Sequence, residues 1–373
     1  MSYVETLKAA NSNVICSAAK EDVGVVSVEC VLRKRLRIPL FQRRYCWGEG
    51  QWSTLLSDVL KVVRGEARQH SLGRATVAAS RDEARVLVLD GQQRNTTTSL
   101  LLAAIRDLTR DESLRDELER LLGGRRGLPP VLIPGYCDRD SYAKALLDGD
   151  DGESNDSDEA SKECASLRRG RPYAAKTYFL RKLRPFENAY LSAIAEATLR
   201  KLTWLYFPID LTGNDGTENL FVVYERLAVR DAMFCVPQRG NKEQVNMGAA
   251  DFVRNLVLGS FQTEATAVRN YETIWHPRIE ARAHGDIAKE LEAYFEAFLL
   301  DEDRTKNDTT KVKKSPEKNH TTEPLYPRFR AWWQCALLEE QRKGRKESTD
   351  DHERIATLLL ERLALFADNY FTT

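Results

Sequence analysis

The run Val86-Leu87-Val88-Leu89-Asp90-Gly91-Gln92-Gln93-Arg94-Asn95-Thr96-Thr97-Thr98-Ser99, continuing into Leu100 to Ile105, constrains the fold most, because it changes from strand to helix within a few residues. Four consecutive apolar residues, Val86 to Leu89, predict a buried strand, and Asp90-Gly91 is a turn dipeptide that stops it. The Thr-rich stretch then opens a helix expected over 96–108. In such a turn the first backbone N–H groups of the helix have no intrahelical acceptor; together with the helix dipole they favour a phosphate or a carboxylate. Arg94 adds a planar fork of donors matched to phosphate oxygens, and the amides of Gln92 and Gln93 flank it. Asp90 reads either as a simple turn residue or, if a divalent metal accompanies a phosphate, as its oxygen ligand or a group that orients water. The plainer alternative for the whole segment is a βα turn whose polar side chains face water.

A second polar segment lies upstream, Ile38-Pro39-Leu40-Phe41-Gln42-Arg43-Arg44-Tyr45-Cys46-Trp47. Pro39 favours an extended conformation at Ile38, which predicts that the chain enters Phe41-Gln42-Arg43 as a strand. Alternation would then put Gln42 and Arg44 on one side and Phe41, Arg43 and Tyr45 on the other. A strand arginine beside Arg94 would be repulsive when alone and relieved by a polyphosphate. Tyr45 and Trp47 offer faces for stacking a base, or core packing instead. The cations Arg33, Lys34, Arg35, Arg37, Arg43 and Arg44 form a local basic patch that can contact DNA or RNA backbone, or simply be solvated.

The two segments together resemble the N-terminal domain family of GmrSD-type restriction endonucleases. That family opens with Ile-Pro-x-Tyr-Gln-Arg-x-Tyr-x-Trp, similar to Ile38 to Trp47, and Leu-Gly at a strand start is similar to Leu72-Gly73. Its Asp-Gly-Gln-Gln-Arg-Leu-Thr-Thr matches Asp90 to Thr97 except that Asn95 replaces Leu. Weaker similarity runs through Phe221 to Leu227, Ala250 to Asn255 and Leu325 to Phe329; Ala228 departs from the family's Asn, and the Gly-containing turn after it is replaced. The resemblance implies a ParB/sulfiredoxin-like α/β domain with a helical extension, and a site that binds and hydrolyses nucleoside triphosphates with Mg or Mn. It places nucleotide contacts at Gln42, Arg43, Tyr45, Gly91, Gln92, Thr96 and Thr97, catalytic roles at Asp90, Gln93 and Arg94, and the metal at Asp90. In many relatives a His-Me finger nuclease domain follows; the chain ends where it would begin, so cutting is expected from a separate nuclease subunit. A non-catalytic nucleotide-sensing or protein-interaction module is the alternative, and the departure at Ala228 points that way.

Composition narrows the field. The chain has 373 residues, enough to bury one large core or two ordinary ones, and two domains are expected. Lys plus Arg and Asp plus Glu both number 56, so no global positive field drives nucleic-acid binding and any such contact is local. Seven cysteines (Cys16, Cys30, Cys46, Cys137, Cys164, Cys235, Cys335) without a closely spaced pair argue against a disulfide framework or a zinc site. The five histidines are also scattered, and a Gly-rich Lys-Ser/Thr phosphate loop is missing. No signal-like start occurs, and no apolar run reaches the roughly 18 residues of a membrane span. A soluble intracellular protein without membrane partners is expected, with an organellar address left open.

Patterning along the chain predicts an α+β protein. Residues 1–148 alternate short strands and helices: a helix over 50–64 with Trp52, Leu55, Leu56, Val59, Leu60 and Val63 at helical spacing, and strands at Leu72 to Ala79 and Val86 to Leu89. Residues 149–171 are rich in Gly, Ser and Asp and are expected to be a disordered insertion. Residues 172–373 read as a mainly helical domain, interrupted by a strand at Leu202 to Leu211 and by loops at 229–244 and 301–322. The final helix is expected to align Ile355, Leu358, Leu359, Leu363 and Phe366 on one face.

Overall fold

The computed structural model describes residues 23–79, 85–149, 170–209, 248–261, 263–284, 286–309, 324–343 and 349–372. The chain divides into two compact units, Met1–Asp210 and Leu211–Thr373. The fold is α+β, with its sheet in the first unit.

In the first unit the elements are β1 (Gly24–Ser27), α1 (Val28–Leu32), β2 (Leu36–Arg37), α2 (Glu49–Val63), β3 (His70–Ala79), β4 (Val86–Asp90), α3 (Gln92–Leu108), α4 (Glu112–Leu122), β5 (Leu132–Ile133), α5 (Arg139–Leu147), α6 (Arg171–Leu183), α7 (Asn188–Glu196) and β6 (Leu202–Ile209). The six strands form one mixed sheet in the order β1-β6-β3-β4-β2-β5. Strand β4 lies between antiparallel β3 and parallel β2, and β5 extends the parallel side. Buried on both neighbours, β4 is the continuous apolar run that its sequence predicted.

Helix α2 buries Trp52, Leu55, Leu56, Val59 and Val62, a stripe at helical spacing, while Leu60 and Val63 flank it. Helix α3 begins at Gln92, not at Thr96, so the whole polar motif forms its first turn. This helix is buried almost all round although it is Thr-rich. Its hydroxyls make that tolerable by bonding back to the preceding turn: Thr97 Oγ1 to the Gln93 carbonyl (2.8 Å), Thr98 Oγ1 to Arg94 (2.7 Å) and Ser99 Oγ to Asn95 (2.9 Å). Asn95, standing where the family has Leu, is equally satisfied, since its Nδ2 donates to the Gly91 carbonyl at 3.1 Å.

Three expectations are corrected. The Phe41-Gln42-Arg43 segment is not a strand: β2 ends at Arg37, and a turn closes with the Gln42 N–H donating to the Pro39 carbonyl at 3.1 Å. Phe41 and Gln42 are therefore both buried, which strand alternation forbids. The unit boundary falls at Asp210, not within 149–171, because α6 and α7 pack on α3 and β6 joins the sheet beside β3. Arg171 already belongs to α6, and 150–169 lies outside the described residues.

The second unit is helical where described: α8 (Ala249–Leu258), α9 (Glu264–Asn270), α10 (Ile287–Thr309), α11 (Leu325–Lys343) and α12 (Thr349–Tyr370), besides short turns over 271–282. Residues 301–309 continue α10, so the expected 301–322 loop is helical in its first part; the rest, 310–322, lies outside the described residues, as do Phe221 to Gln244. On α12 the buried stripe is Ile355, Ala356, Leu359, Leu360 and Leu363, whereas Leu358 is exposed and Phe366 half-buried.

Candidate functional site

Strand β4 delivers Asp90 to its C-terminal end, where Gly91 turns the chain with φ 92° into α3. That left-handed conformation favours glycine, and the space agrees: a Cβ on Gly91 would lie 3.2 Å from the Trp204 ring. Asp90 Oδ1 accepts the Gly91 N–H at 2.7 Å, fixing the carboxylate at the head of the helix.

Arg94, one turn on, reaches back over this carboxylate. Its Nη2 lies 3.4 Å from Asp90 Oδ1, its Nη1 donates to the Leu72 carbonyl, and its guanidinium lies over the Trp204 ring at 5.2 Å. The backbone of β3 makes room for it. A bulge in the β3–β6 ladder between Ser71 and Arg74 contains Gly73 with φ 84°, and a Cβ there would sit 2.6 Å from Arg94 Nη1. Immediately after the bulge, Arg74 Nε lies 3.6 Å from Asp90 Oδ2. Asp90 thus sits between two arginines, and the three side chains are between a quarter and just over a third open to solvent. Gln92, in the first turn of α3, is 7% exposed.

The remaining motif residues brace this turn from behind. Gln93 Oε1 accepts from the Cys46 N–H (2.9 Å) and its Nε2 donates to the Arg44 carbonyl (3.0 Å), so its amide is engaged at both ends. Gln42 is buried and donates to the Leu89 carbonyl at 2.6 Å, clamping the end of β4. Tyr45 is 4% exposed; its hydroxyl accepts from Trp52 Nε1 (2.7 Å) and meets Thr97 Oγ1 (2.7 Å), and burial holds the phenol well above its ordinary pKa. The Tyr45 N–H donates to Asp138 Oδ2 at 2.6 Å. This ring is part of the core, which is the second of the two readings that its sequence allowed. Thr96 and Thr97 are buried as well, facing the interior, while Arg43 and Arg44 are half-buried in the loop. Trp47 packs against the core.

The structure therefore brings Asp90 and Arg94, both partly open to solvent, to one turn with the buried Gly91 and Gln92, and assigns Gln42, Tyr45, Gln93 and Thr97 to its support. The strand arginine that shares Asp90 with Arg94 is Arg74 of β3, which the motif reading did not single out; its only sequence signal is its position after Leu72-Gly73. Trp204, from β6, carried no local signal at all.

The family model of the GmrSD restriction endonuclease N-terminal domain matches residues 28–258, well over half of the chain and all of the sheet except β1. The chain belongs to this family. No curated protein matches it significantly. The family match spans both motifs, the Leu72-Gly73 bulge and Trp204, and runs through α8 of the second unit. Among the described residues no helix is long and apolar enough to cross a membrane.

A divalent metal fits this GmrSD-type turn only in company. Asp90 supplies a carboxylate, but its two oxygens already face Arg74 and Arg94, which repel a bare cation. A metal arriving with phosphate oxygens would meet the opposite situation, since the arginines would then face the phosphate and Asp90 could offer one oxygen ligand.

Proposed function

We propose that the turn from Asp90 to Arg94 is a nucleoside-triphosphate site serving DNA restriction through a partner, such as a separate nuclease subunit. The observation that carries this reading is the Arg74–Asp90–Arg94 arrangement at the N-terminus of α3, each of the three side chains partly open to solvent. Arg74 and Arg94 hold the phosphates, the first N–H groups of α3 point along the helix dipole toward them, and Asp90 orients water or holds Mg or Mn. When bound, the metal neutralises charge on the phosphates. The ParB/sulfiredoxin-like domain that the family resemblance implies fits the same reading of the first unit.

A second reading has its own support. Gln93, expected to be catalytic, has both ends of its amide committed to the Arg44–Cys46 backbone. A chain that binds a nucleotide and signals its presence without turnover needs nothing more than the open part of the turn.

Phosphate release from ATP, GTP, CTP and UTP with Mg or Mn, measured beside ligand-induced thermal stabilisation, separates these readings. The wild type is compared with Asp90→Ala and Arg94→Ala. A nucleotide at about 100 times its Kd stabilises the fold by about 2.7 kcal/mol, so binding is visible without turnover. Turnover abolished in both variants supports the hydrolase. Stabilisation without turnover supports the sensor, and neither signal with any nucleotide sinks the phosphate site.

A further inference from the structure

A cavity of about 670 Å3 opens at the other end of the sheet from the Asp90 turn. Strands β4, β2 and β5 run parallel side by side, and the residues that precede Leu36, Val86 and Leu132 line its mouth: Arg35, Arg85 and Val131. Asp90 closes the opposite end of β4, about 16 Å away at the rise of a five-residue strand. Arg33, at the end of α1, and Arg120, on α4, bring the arginines lining the cavity to four, against one lining carboxylate, Glu117. The basic run of the sequence is thus divided. Arg33 and Arg35 enter this cleft, Lys34 lies over the Tyr206 ring at 5.1 Å, and Arg85 and Arg120 come from elsewhere in the chain.

The arginines are presented in different ways. Arg85 Nη1 donates to the Pro130 and Val131 carbonyls at 3.3 and 3.2 Å, which holds its guanidinium at the rim. Arg33 is paired with Glu29 at 2.6 Å. Arg35 and Arg120 are exposed and make no side-chain hydrogen bond or ion pair among the described residues. Arg35 moreover has φ 52°, a left-handed conformation that costs a non-glycine residue free energy and is commonest at functional positions. Its carbonyl accepts the Val86 N–H at 2.9 Å, so the sheet enforces that conformation while the side chain stays outside. Leu128, 46% exposed, gives the cleft one apolar wall.

We propose that this cleft grips the phosphodiester backbone of a nucleic acid. Guanidinium groups from separate segments of the chain offer several points of contact to a polyanion, and the exposed apolar wall suits the sugar face. The choice of nucleic acid as ligand rests on the restriction reading above, but the cleft shares no residue with the nucleotide turn.

The test is fluorescence anisotropy of a labelled DNA duplex of about two helical turns, with the full chain and no nucleotide. Arg35→Glu/Arg120→Glu is compared with wild type and with Arg304→Glu/Arg342→Glu, an equal charge change on exposed arginines of the second unit. The expected result is a loss of affinity of about tenfold or more in the cleft variant alone, with the log–log salt slope reduced by about 1.8 for two lost phosphate contacts. Equal binding by all three proteins, or no binding by the wild type, overturns the proposal. Cleft-dependent stabilisation by inorganic phosphate without duplex binding also overturns it and assigns the cleft to a free anion. Nucleotide-induced stabilisation is recorded on the same proteins. If it is missing throughout, the nucleotide turn fails while the duplex result stands by itself.

Discussion

At the residue scale, Gly73 has a part in the site that its lack of a side chain conceals. Its left-handed backbone lets the β3 bulge form, and the space above its Cα is where Arg94 Nη1 passes to the Leu72 carbonyl. Gly73→Ala meets both constraints at once. The strain costs about 1–3 kcal/mol, and Arg94 is displaced from its place over Trp204. We therefore expect a lowered Tm together with loss of nucleotide-induced stabilisation greater than the Tm change explains, read by thermal shift with and without nucleotide. If nucleotide stabilisation survives in Gly73→Ala, the position of Arg94 does not matter to binding. Gln93 makes the complementary point. Its type and place suggest chemistry, yet its hydrogen bonds to Arg44 and Cys46 show a brace between the two motifs.

At the element scale, α3 joins two polar regions of different character. Its N-terminal turn carries the partly exposed Arg94 beside Asp90, whereas its C-terminal end carries a buried charge cluster around Asp107. That carboxylate receives Arg106 Nε and Arg125 Nη1 at 2.9 Å and Lys176 Nζ at 2.5 Å, and both Arg106 and Lys176 are almost fully buried. Three cations on one carboxylate leave excess positive charge, which the carbonyls ending α5 offset: Arg106 donates to Leu146 (2.6 Å), Arg125 to Leu147 (3.1 Å) and Asp148 (2.6 Å), and Lys176 to Asp148. Burial lowers the pKa of Lys176 and of Arg106, and Asp107 opposes that shift in both. Asp107→Asn removes the carboxylate that bridges α3, α6 and Arg125. Breaking such a buried pair costs about 3–5 kcal/mol, so a large fall in the urea midpoint is expected. A change near zero would mean that the α5 carbonyls suffice by themselves.

For the whole molecule, the clearest pH response lies on the alkaline side. Burial raises the phenols of Tyr45 and Tyr142 in the first unit and Tyr294 in the second above the ordinary 10.0. The folded chain keeps these phenols protonated where the unfolded chain would release the proton. Their contribution is complete below pH 10.0 and is lost as pH rises toward the folded values. Each phenol withdraws up to about 1.4 kcal/mol per pH unit in that window. Urea midpoints taken from about pH 9 to about pH 11 should fall steeply, and less steeply in Tyr45→Phe, whose loss of two hydrogen bonds lowers the curve at every pH. Identical slopes for the two proteins would remove Tyr45 from this account.

What the sequence determined by itself is local. Periodicity located α2, β3, β4 and the final helix, because burial of one face imposes its spacing on neighbouring residues. The Asp90-Gly91 dipeptide marked the turn, because only a few residue types tolerate its dihedral angles. The two motifs announced the family. Tertiary structure decided everything that depends on residues distant in the chain. It set Arg74 against Asp90 through the β3–β4 pairing, put Trp204 beneath Arg94 by adding β6 to the sheet, and so moved the unit boundary to Asp210. It turned Gln42, Tyr45 and Gln93 inward, since their hydrogen-bond partners lie 46 to 93 residues away or, for Trp52, across a separate helix. The arginine cleft arose in the same way, from three parallel strands that start at one edge. Side-chain chemistry is written locally, but whether a polar group meets solvent, a ligand or the backbone is a property of the packed neighbours.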